Sequence, residues 1–163
     1  MDELKRSFPP VADARARVLV LGSLPGEQSL AQARYYAHPQ NQFWRLIGEV
    51  IRRDLVPLPY EERLEALRGA GVALWDTVGA ARRRGSLDGA IRDVEANALG
   101  RLADTLPELR AVGFNGGKSA TMGIPQLAGR EGLALVALPS SSPAFTLPFA
   151  AKLEQWQALA PFL

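Results

Sequence analysis

The stretch VLVLGSLPG, residues 18–26, gives the first indication of the fold. Its four aliphatic residues form a continuous apolar run, after which Gly22, Pro25 and Gly26 supply the residues of a tight turn. A continuous rather than alternating apolar run is typical of a strand that is covered on both faces, as in a parallel sheet. We therefore expect a buried strand over residues 18–21 that ends in a polar loop.

Three later runs repeat this pattern, at residues 72–75, 111–114 and 133–138, and each ends in turn-forming or polar residues. Between the runs lie segments with helical periodicity, at residues 42–53, 60–67, 98–106, 118–127 and 150–159. Strands that alternate with helices predict an α/β fold with a four-stranded parallel sheet, whose ligands bind at the carboxyl ends of the strands. The first dozen residues and residues 76–94 show no periodicity, and we expect them to be coil.

Length and composition exclude several classes of protein. A chain of 163 residues has the size of one domain, so we expect a single domain over residues 1–163 with residues 1–16 peripheral. The absence of cysteine excludes disulfide scaffolds, thiol nucleophiles and cysteine-ligated zinc or iron–sulfur centres. His38 is the single histidine, so a metal site that needs two imidazoles is excluded as well.

The charged residues give a weaker indication. The net charge is only +2, but all except three of the 19 basic residues are arginine, the side chain best suited to bidentate phosphate contact. This composition fits a nucleic-acid-binding protein and equally an arginine-rich solvated surface. The amino-terminal segment MDELKRSFPP lacks the apolar run of a signal peptide, and no apolar run could span a membrane. We therefore expect a soluble cytoplasmic protein, active at the nucleoid, with no membrane partner.

The loop after the first strand contains YYAHPQNQFW, residues 35–44. Asn41 there fits a helix N-cap, because its side chain can accept a hydrogen bond from a free backbone N–H. The density of aromatic and amide groups in ten residues also suits the binding of a flat heterocycle, which needs stacking and hydrogen bonds. The residues alone leave both interpretations open for Asn41.

The loops after the second and third strands carry groups that suit a ligand. Asp76 follows a buried strand directly, where a carboxylate either caps backbone N–H groups or accepts a hydrogen bond from a ligand N–H. Arginines 82–84 form either a solvated surface or a phosphate contact. Residues 115–119, NGGKS, lack the first glycine of a nucleotide-binding P-loop, because Val112 stands in its place. Gly116 and Lys118 remain candidates for binding one DNA phosphate at a helix start, or they form a plain turn.

The loop after the fourth strand is LPSSSPA, residues 138–144. The hydroxyls of Ser140, Ser141 and Ser142 lie between two prolines, and such a rigid loop with small hydroxyl donors suits a phosphate contact. The same residues are equally typical of a turn.

Taken together, GSLPGEQSL, YYAHPQNQFW, LWDTV with RRGSLDGAI, and LPSSSPA resemble the motifs of the hypoxanthine-DNA glycosylase family, family 6 of the uracil-DNA glycosylase superfamily. The similarity covers residues 18–150 approximately. The pattern AHPxNxFW is also similar to that of the mismatch-specific uracil/thymine-DNA glycosylases.

The resemblance implies a three-layer α/β/α domain with a four-stranded parallel sheet. It implies a monomeric enzyme without metal or cofactor that acts on double-stranded DNA containing a deaminated base. Such enzymes flip the damaged nucleotide out of the duplex and hydrolyse its N-glycosidic bond, which leaves an abasic site. The most probable base on this resemblance is hypoxanthine.

The resemblance also implies roles for individual residues. Asn41 takes the place of the catalytic amide that orients the attacking water, because Leu24 stands where the mismatch-specific branch has an amide. Tyr36 takes the place of the aromatic residue that stacks on the flipped base, and Ser140, Ser141 and Ser142 match the motif that grips the DNA backbone.

Two further contacts follow from the expected mechanism. The departing base gains negative charge, so we expect the backbone N–H groups of Ser23 and Leu24 to donate hydrogen bonds to a base oxygen. We expect the carboxylate of Asp76 to accept a hydrogen bond from N1–H of hypoxanthine, a group that adenine lacks.

Three alternatives remain. The first is a glycosylase for uracil or thymine in G:U or G:T mismatches, which the shared AHPxNxFW favours and Leu24 disfavours. The second is a DNA-binding domain of the same fold without catalysis. The third is a nucleotide-binding module that uses residues 116–119.

Overall fold

The computed structural model of the chain describes residues 4–163 and contains two β-sheets. Its strands are β1 (Leu4–Arg6), β2 (Val18–Gly22), β3 (Val72–Asp76), β4 (Val78–Arg82), β5 (Arg92–Ala96), β6 (Ala111–Asn115) and β7 (Ala134–Leu138). Its α-helices are α1 (Glu27–Gln32), α2 (Phe43–Ile51), α3 (Tyr60–Gly69), α4 (Leu99–Asp104), α5 (Gly117–Leu127) and α6 (Phe149–Trp156). Two 3-10 segments, Asp88–Ala90 and Gln157–Phe162, complete the regular structure of the described residues.

The larger sheet has four parallel strands in the order β3-β2-β6-β7. This confirms the predicted α/β fold with a four-stranded parallel sheet. In the register of the sheet, Gly22 pairs with Asp76, and Asn115 pairs with Leu138. The carboxyl ends of all four strands therefore meet at one edge, where the loops predicted to carry the function also begin.

Helices cover both faces of this sheet, as the three-layer prediction requires. Val18 and Val20 of β2 point into a cluster with α2, α3 and α6, whereas Leu19 and Leu21 point into a second cluster with α4 and α5. Burial on both faces explains why β2 shows no alternation of apolar and polar residues. The edge strand β7 is less completely covered, because most of its residues are only half-buried.

The predicted helices are all present, with ends that differ from the predicted ones by a few residues at most. Helix α2 shows why: Phe43, Leu46, Ile47 and Val50 recur at helical spacing and are buried against the sheet. The helix ends at Ile51 because Arg52 adopts a left-handed conformation, with φ of 59°. No helix within residues 4–163 has both the length and the apolar character that crossing a membrane requires.

The second sheet corrects two of our expectations. The amino-terminal segment, expected to be coil, contains β1, and Val11 pairs with Leu74 in an isolated bridge; residues 1–3 lie outside the described residues. Residues 76–94, also expected to be coil, contain β4 and the start of β5, which form the antiparallel sheet β1-β4-β5. Strand β1 pairs with β4, which is distant in sequence, and local periodicity does not reveal such pairing. The short helix α1 was missed for a similar reason, because six residues are too few for a periodic pattern.

Candidate active site

A cavity of about 470 Å³ opens at the carboxyl edge of the larger sheet, and we call it the central cavity. It is lined by the last residues of β2, β3 and β6, by the loops after β2 and β7, and by the segments 35–41 and 86–88. Its volume lies in the range of pockets that bind small molecules. It lies where a parallel α/β sheet binds its ligands.

Most of the predicted site residues meet in this cavity. Its lining includes Ser23, Leu24, Tyr36, Asn41, Asp76, Ser140, Ser141 and Ser142. Gly116 and Lys118, the predicted phosphate contacts, are not part of its lining. The four loops predicted to act together are thus adjacent in space, with the exception of the turn after β6.

Asp76 is a buried carboxyl group in the wall of the central cavity. Its side chain is packed against Gly22 of the neighbouring strand, and a Cβ at Gly22 would lie only 2.5 Å from Asp76 Oδ1. Asp76 is 3% exposed, and its Oδ2 has no hydrogen-bond partner within the described residues. Burial raises the pKa of Asp76 to about 7; the negative charge of Asp88 adds to the increase and Arg83 opposes it. An unpaired buried acceptor facing a cavity is suited to a ligand N–H.

Asn41 lies directly before α2 and lines the central cavity. Its Oδ1 accepts a hydrogen bond of 2.9 Å from the backbone N–H of Phe43, the first residue of α2. This bond closes a turn directly before the helix, whose N-cap is Gln42, and it orients the amide at the cavity wall. A carbonyl oxygen has two lone pairs, so Oδ1 retains one acceptor position for a water molecule.

Tyr36 presents an aromatic ring to the central cavity from a strained backbone conformation, with φ of 53°. One face of the ring stacks on Phe43, with ring centroids 3.9 Å apart and planes inclined by 16°. Phe43 thus covers one face of the ring, and Tyr36 also belongs to the lining of the cavity. The hydroxyl accepts a hydrogen bond of 3.3 Å from Asn115 Nδ2, and burial, with the nearby charge of Asp76, raises the pKa of Tyr36. The phenol is neutral at physiological pH.

Ser23 and Leu24 form the loop that faces Asp76 across the sheet edge. The hydroxyl of Ser23 donates a hydrogen bond of 2.5 Å to Asp88 Oδ1, which joins this loop to the segment 86–88. The side chain of Leu24 is buried in a small cluster with Val78 and Ala81, so it is held in the core. Any contact between Leu24 and a polar ligand atom must therefore come from its backbone.

The three serines in the loop after β7 differ in how far they are exposed to solvent. Ser141 is 1% exposed; its N–H donates to Asn115 Oδ1 and its hydroxyl accepts from Asn115 Nδ2, both at 2.9 Å. Ser140 and Ser142 are half-buried and reach the cavity surface. The expectation that three hydroxyls face DNA is corrected for Ser141, which instead fastens the loop to β6.

The turn after β6 corrects a second expectation. The N–H of Gly116 donates a hydrogen bond of 3.1 Å to the carbonyl of Leu138, so it does not point outward to an anion. Gly116 has φ of 98°, a conformation that favours glycine. Lys118 is half-buried at the start of α5 and stays a predicted phosphate contact.

Arg83, the middle one of the three consecutive arginines, is buried, whereas Phe145 is exposed. Arg83 is fully buried and donates hydrogen bonds to the carbonyls of Leu24, Pro25 and Gly85, so it supports the loop after β2 from behind. Phe145 is 45% exposed at the cavity rim, so it is not a core residue.

Two residues of the site were not assigned from the sequence. Asn115 lies at the end of β6 and joins Tyr36 to Ser141, and Asp88 holds Ser23 and acts on the pKa of Asp76. The signal for Asn115 was its position directly after a buried strand. In the sequence, Asn115 also belongs to the incomplete P-loop pattern of residues 115–119, which hides this signal. Within residues 4–163, no group of three or more His, Asp or Glu side chains has the arrangement of a metal site.

Comparison with known proteins relates this chain to one group of enzymes. A family model described as the uracil DNA glycosylase superfamily matches residues 9–160. A hypoxanthine DNA glycosylase of Methanosarcina barkeri is 47% identical over 115 residues, which cover 71% of this chain and 73% of that protein. A hypoxanthine DNA glycosylase of Methanosarcina acetivorans is 38% identical over 156 residues, which cover 96% of this chain and 98% of that protein.

A solved structure shows the same fold. The solution NMR structure of a candidate uracil DNA glycosylase from Methanosarcina acetivorans superimposes with a TM-score of 0.85 at 38% identity. The superposition covers 97% of each chain.

Proposed function

The chain belongs to the uracil DNA glycosylase superfamily, and from this premise we propose that it removes hypoxanthine from DNA. It is a DNA glycosylase that hydrolyses the bond between the base and the deoxyribose. The observation that carries the choice of base is the buried, unpaired carboxyl of Asp76 in a cavity that also contains Tyr36 and Asn41. The name hypoxanthine DNA glycosylase, which both curated relatives carry, agrees with it.

Base recognition rests on Asp76. Above its pKa of about 7 the carboxylate accepts a hydrogen bond from N1–H of hypoxanthine. Adenine has an unprotonated nitrogen at the same position, and two acceptors facing each other repel. Leaving the buried carboxylate unpaired costs about 1–3 kcal/mol or more, so this contact can discriminate between the two bases.

The base is held from two further sides. Tyr36 offers an aromatic surface for stacking, since only one of its faces is used by Phe43. The backbone N–H groups of Ser23 and Leu24 donate to the base oxygen, where negative charge develops as the bond breaks. Ser23 is anchored for this role by its hydrogen bond to Asp88.

Asn41 positions the nucleophile. The free lone pair of its Oδ1 accepts a hydrogen bond from a water molecule on the sugar side of the cavity. The water oxygen bonds to C1′ of the deoxyribose while the glycosidic bond breaks, and the departing base keeps the electron pair. One hydrogen of the water is transferred to the base, through solvent, so the products are an abasic site and free hypoxanthine. An amide is too weak a base to deprotonate water alone, so its contribution is orientation.

The substrate is double-stranded DNA containing a deaminated base, and the enzyme acts as a monomer. A flipped nucleotide must leave the base stack, and this costs less at a mismatched or damaged pair, which favours such sites before chemistry begins. No lysine within the described residues lines the central cavity. The reaction therefore proceeds without a Schiff base, and borohydride does not trap a covalent complex with DNA.

The test is excision from a panel of duplexes that contain inosine, xanthosine, uracil or thymine opposite each normal base. Abasic sites are detected by strand cleavage in alkali under single-turnover conditions. The proposal expects inosine to react fastest. Equal or faster excision of uracil would support the second candidate, a mismatch-specific uracil/thymine glycosylase, which AHPxNxFW favours. DNA binding without any excision would support a non-catalytic domain.

A further inference from the structure

A second cavity, of about 460 Å³, lies beside the central cavity, and we call it the flanking cavity. The two cavities share a wall made of four residues from the loop that precedes α2: Tyr35, Tyr36, His38 and Asn41. The proposed function uses the side of this wall that faces the central cavity. The other side has no part in it.

The two cavities differ in charge. Apart from His38, which both cavities share, the acidic and basic side chains among the described residues that line the central cavity are carboxylic acids: Glu27, Asp76 and Asp88. With the same exception, those that line the flanking cavity are arginines: Arg34, Arg45 and Arg63. Lys5 and Arg83 offset part of the negative charge from behind the central cavity, since Lys5 pairs with Glu27 and Arg83 acts on Asp76.

Aromatic rings orient the three arginines of the flanking cavity. The guanidinium carbon of Arg45 lies 4.0 Å from the ring centroid of Phe149, and those of Arg63 and Arg34 lie 5.2 Å and 5.3 Å from the rings of Trp44 and Tyr60. A guanidinium over a ring has its N–H groups directed outward at its edge, where they can meet an acceptor.

Of the three arginines, only Arg63 forms hydrogen bonds through its guanidinium group with the part of the chain that the structure describes. Arg63 donates hydrogen bonds to the carbonyls of Leu58 and Val56, at 2.9 Å and 2.6 Å. Arg34 and Arg45 are exposed, and the guanidinium group of neither forms a hydrogen bond or ion pair with any residue in the range 4–163. Their donors are therefore free for an external anion.

We propose that the flanking cavity binds a phosphodiester group of the DNA strand whose flipped base enters the central cavity. The base is neutral and can enter a cavity that contains carboxylates, whereas a phosphate would be repelled there and attracted by the arginines. Arginine binds phosphate with paired N–H donors, more specifically than lysine does. Because the cavities share a wall, one strand can place a base on one side and a neighbouring phosphate on the other. This inference rests on the proposed function, since it assumes that the central cavity takes a base.

The test compares Arg34→Gln/Arg45→Gln with a control that loses the same charge, Arg101→Gln/Arg110→Gln. The control arginines are exposed and line neither cavity. Fluorescence anisotropy measures the binding of each variant to a duplex that carries a tetrahydrofuran abasic analogue, at several salt concentrations. We expect the first variant to bind on the order of tenfold more weakly, with the slope of log K against log salt reduced by about one, as for one lost phosphate contact. The control keeps the wild-type slope.

A second arm locates the phosphate. Methylphosphonate linkages, which carry no charge, replace the phosphodiesters on either side of the analogue one at a time. One replacement should weaken binding of the wild-type protein and have little effect on the Arg34→Gln/Arg45→Gln variant, as in a double-mutant cycle. Equal responses of both proteins at every position would overturn the proposal, as would an unchanged salt slope.

The result does not depend on catalysis. The abasic analogue has no base to excise, so binding can be measured whether or not the enzyme releases hypoxanthine. If the duplex panel contradicts hypoxanthine excision while the methylphosphonate cycle shows coupling, the choice of base is wrong and the phosphate site stands. Melting temperatures within about two degrees of wild type show that the surface substitutions leave the fold intact.

Discussion

The two cavities on either side of residues 35–41 differ in how their polar groups are satisfied. In the central cavity the polar side chains are linked to one another: Ser23 to Asp88, and Asn115 to both Tyr36 and Ser141. In the flanking cavity the arginines are stacked on aromatic rings, and two of them have no hydrogen-bond acceptor in the described chain. The first arrangement holds polar side chains at defined positions, as catalysis requires. The second leaves guanidinium donors available to the phosphates of a mobile DNA backbone. Substitutions should therefore separate catalysis from DNA binding.

Apart from Asn41, the largest effect is expected from Gly22→Ala, which places a methyl group in the wall of the central cavity. The new Cβ would lie 2.5 Å from Asp76 Oδ1 and 3.0 Å from Tyr36 Oη, so both side chains must move. Displacement of this size costs about a hundredfold in rate. We expect single-turnover excision of hypoxanthine to fall by that factor while binding to the abasic-analogue duplex changes little.

Gly69→Ala serves as the control, because nothing lies within 4 Å of a Cβ at that position. It should leave excision unchanged. Wild-type excision by Gly22→Ala would show that Asp76 and Tyr36 do not need their observed positions.

The next effect is a dependence of excision on pH. The pKa of Asp76 is raised to about 7, so the carboxylate that accepts N1–H is present only above that pH. The excision rate of hypoxanthine should thus rise about tenfold per unit as the pH increases towards 7 and become constant above it. Single-turnover rates measured from about pH 5 to about pH 9 check this expectation.

Three variants identify the group whose protonation sets the pH dependence of excision. Asp76→Asn should flatten the profile and narrow the preference for inosine over adenosine. Asp88→Asn should move the midpoint to lower pH, because the charge of Asp88 helps to raise the pKa of Asp76. His38→Gln, at the shared wall, should leave the midpoint in place. If the midpoint of the pH dependence moved in His38→Gln and stayed in place in the two Asp variants, the role of Asp76 would be refuted.

A smaller effect is expected from Asn115→Ala. This change removes the hydrogen bond to Tyr36 and both bonds to Ser141, so the stacking ring and the serine loop lose their common support. The maximal excision rate should fall about tenfold, because positioning is impaired while no reacting group is lost.

Ser119→Ala is the matched control for Asn115→Ala. It removes a buried hydrogen bond to the carbonyl of Leu21, but Ser119 does not line the central cavity. Both variants should lose stability, and only Asn115→Ala should lose rate. An equal loss of rate in both would assign Asn115 to stability alone.

The smallest effect is expected from Phe145→Ala, at the rim of the central cavity. Phe145 is 45% exposed beside the opening of the central cavity, a position suited to contact with DNA. Phe145→Ala should weaken duplex binding about threefold and leave the melting temperature unchanged, as for an exposed contact. Val94→Ala, at an exposed residue that lines neither cavity, should alter neither quantity. Unchanged binding in Phe145→Ala would remove this residue from the interface.

The sequence was sufficient to predict the larger sheet, because each of its strands is visible as a local pattern. Each strand is a continuous apolar run, and parallel topology then brings the strand ends together. Asp76 and Ser23 could be placed at one edge on this ground, and the register confirms that their strands are neighbours.

The sequence was insufficient where a contact joins distant segments. Strand β1 pairs with β4, and no local pattern shows this. Three consecutive arginines look alike in sequence, yet Arg83 is buried because the loop after β2 supplies carbonyl acceptors for it. Ser141 similarly differs from its neighbours because Asn115 lies opposite. The flanking cavity could not be foreseen at all, since its arginines come from separate elements.

Asn41 lies in the wall between the cavities, so it tests the central claim most directly. Abasic-site formation on an inosine duplex is measured under single-turnover conditions for wild type, Asn41→Ala and the exposed neighbour Gln40→Ala. We predict that Asn41→Ala loses about a hundredfold or more in rate but still binds the abasic-analogue duplex, while Gln40→Ala matches wild type. Excision by Asn41→Ala within about tenfold of wild type would contradict the assignment of the water-positioning amide.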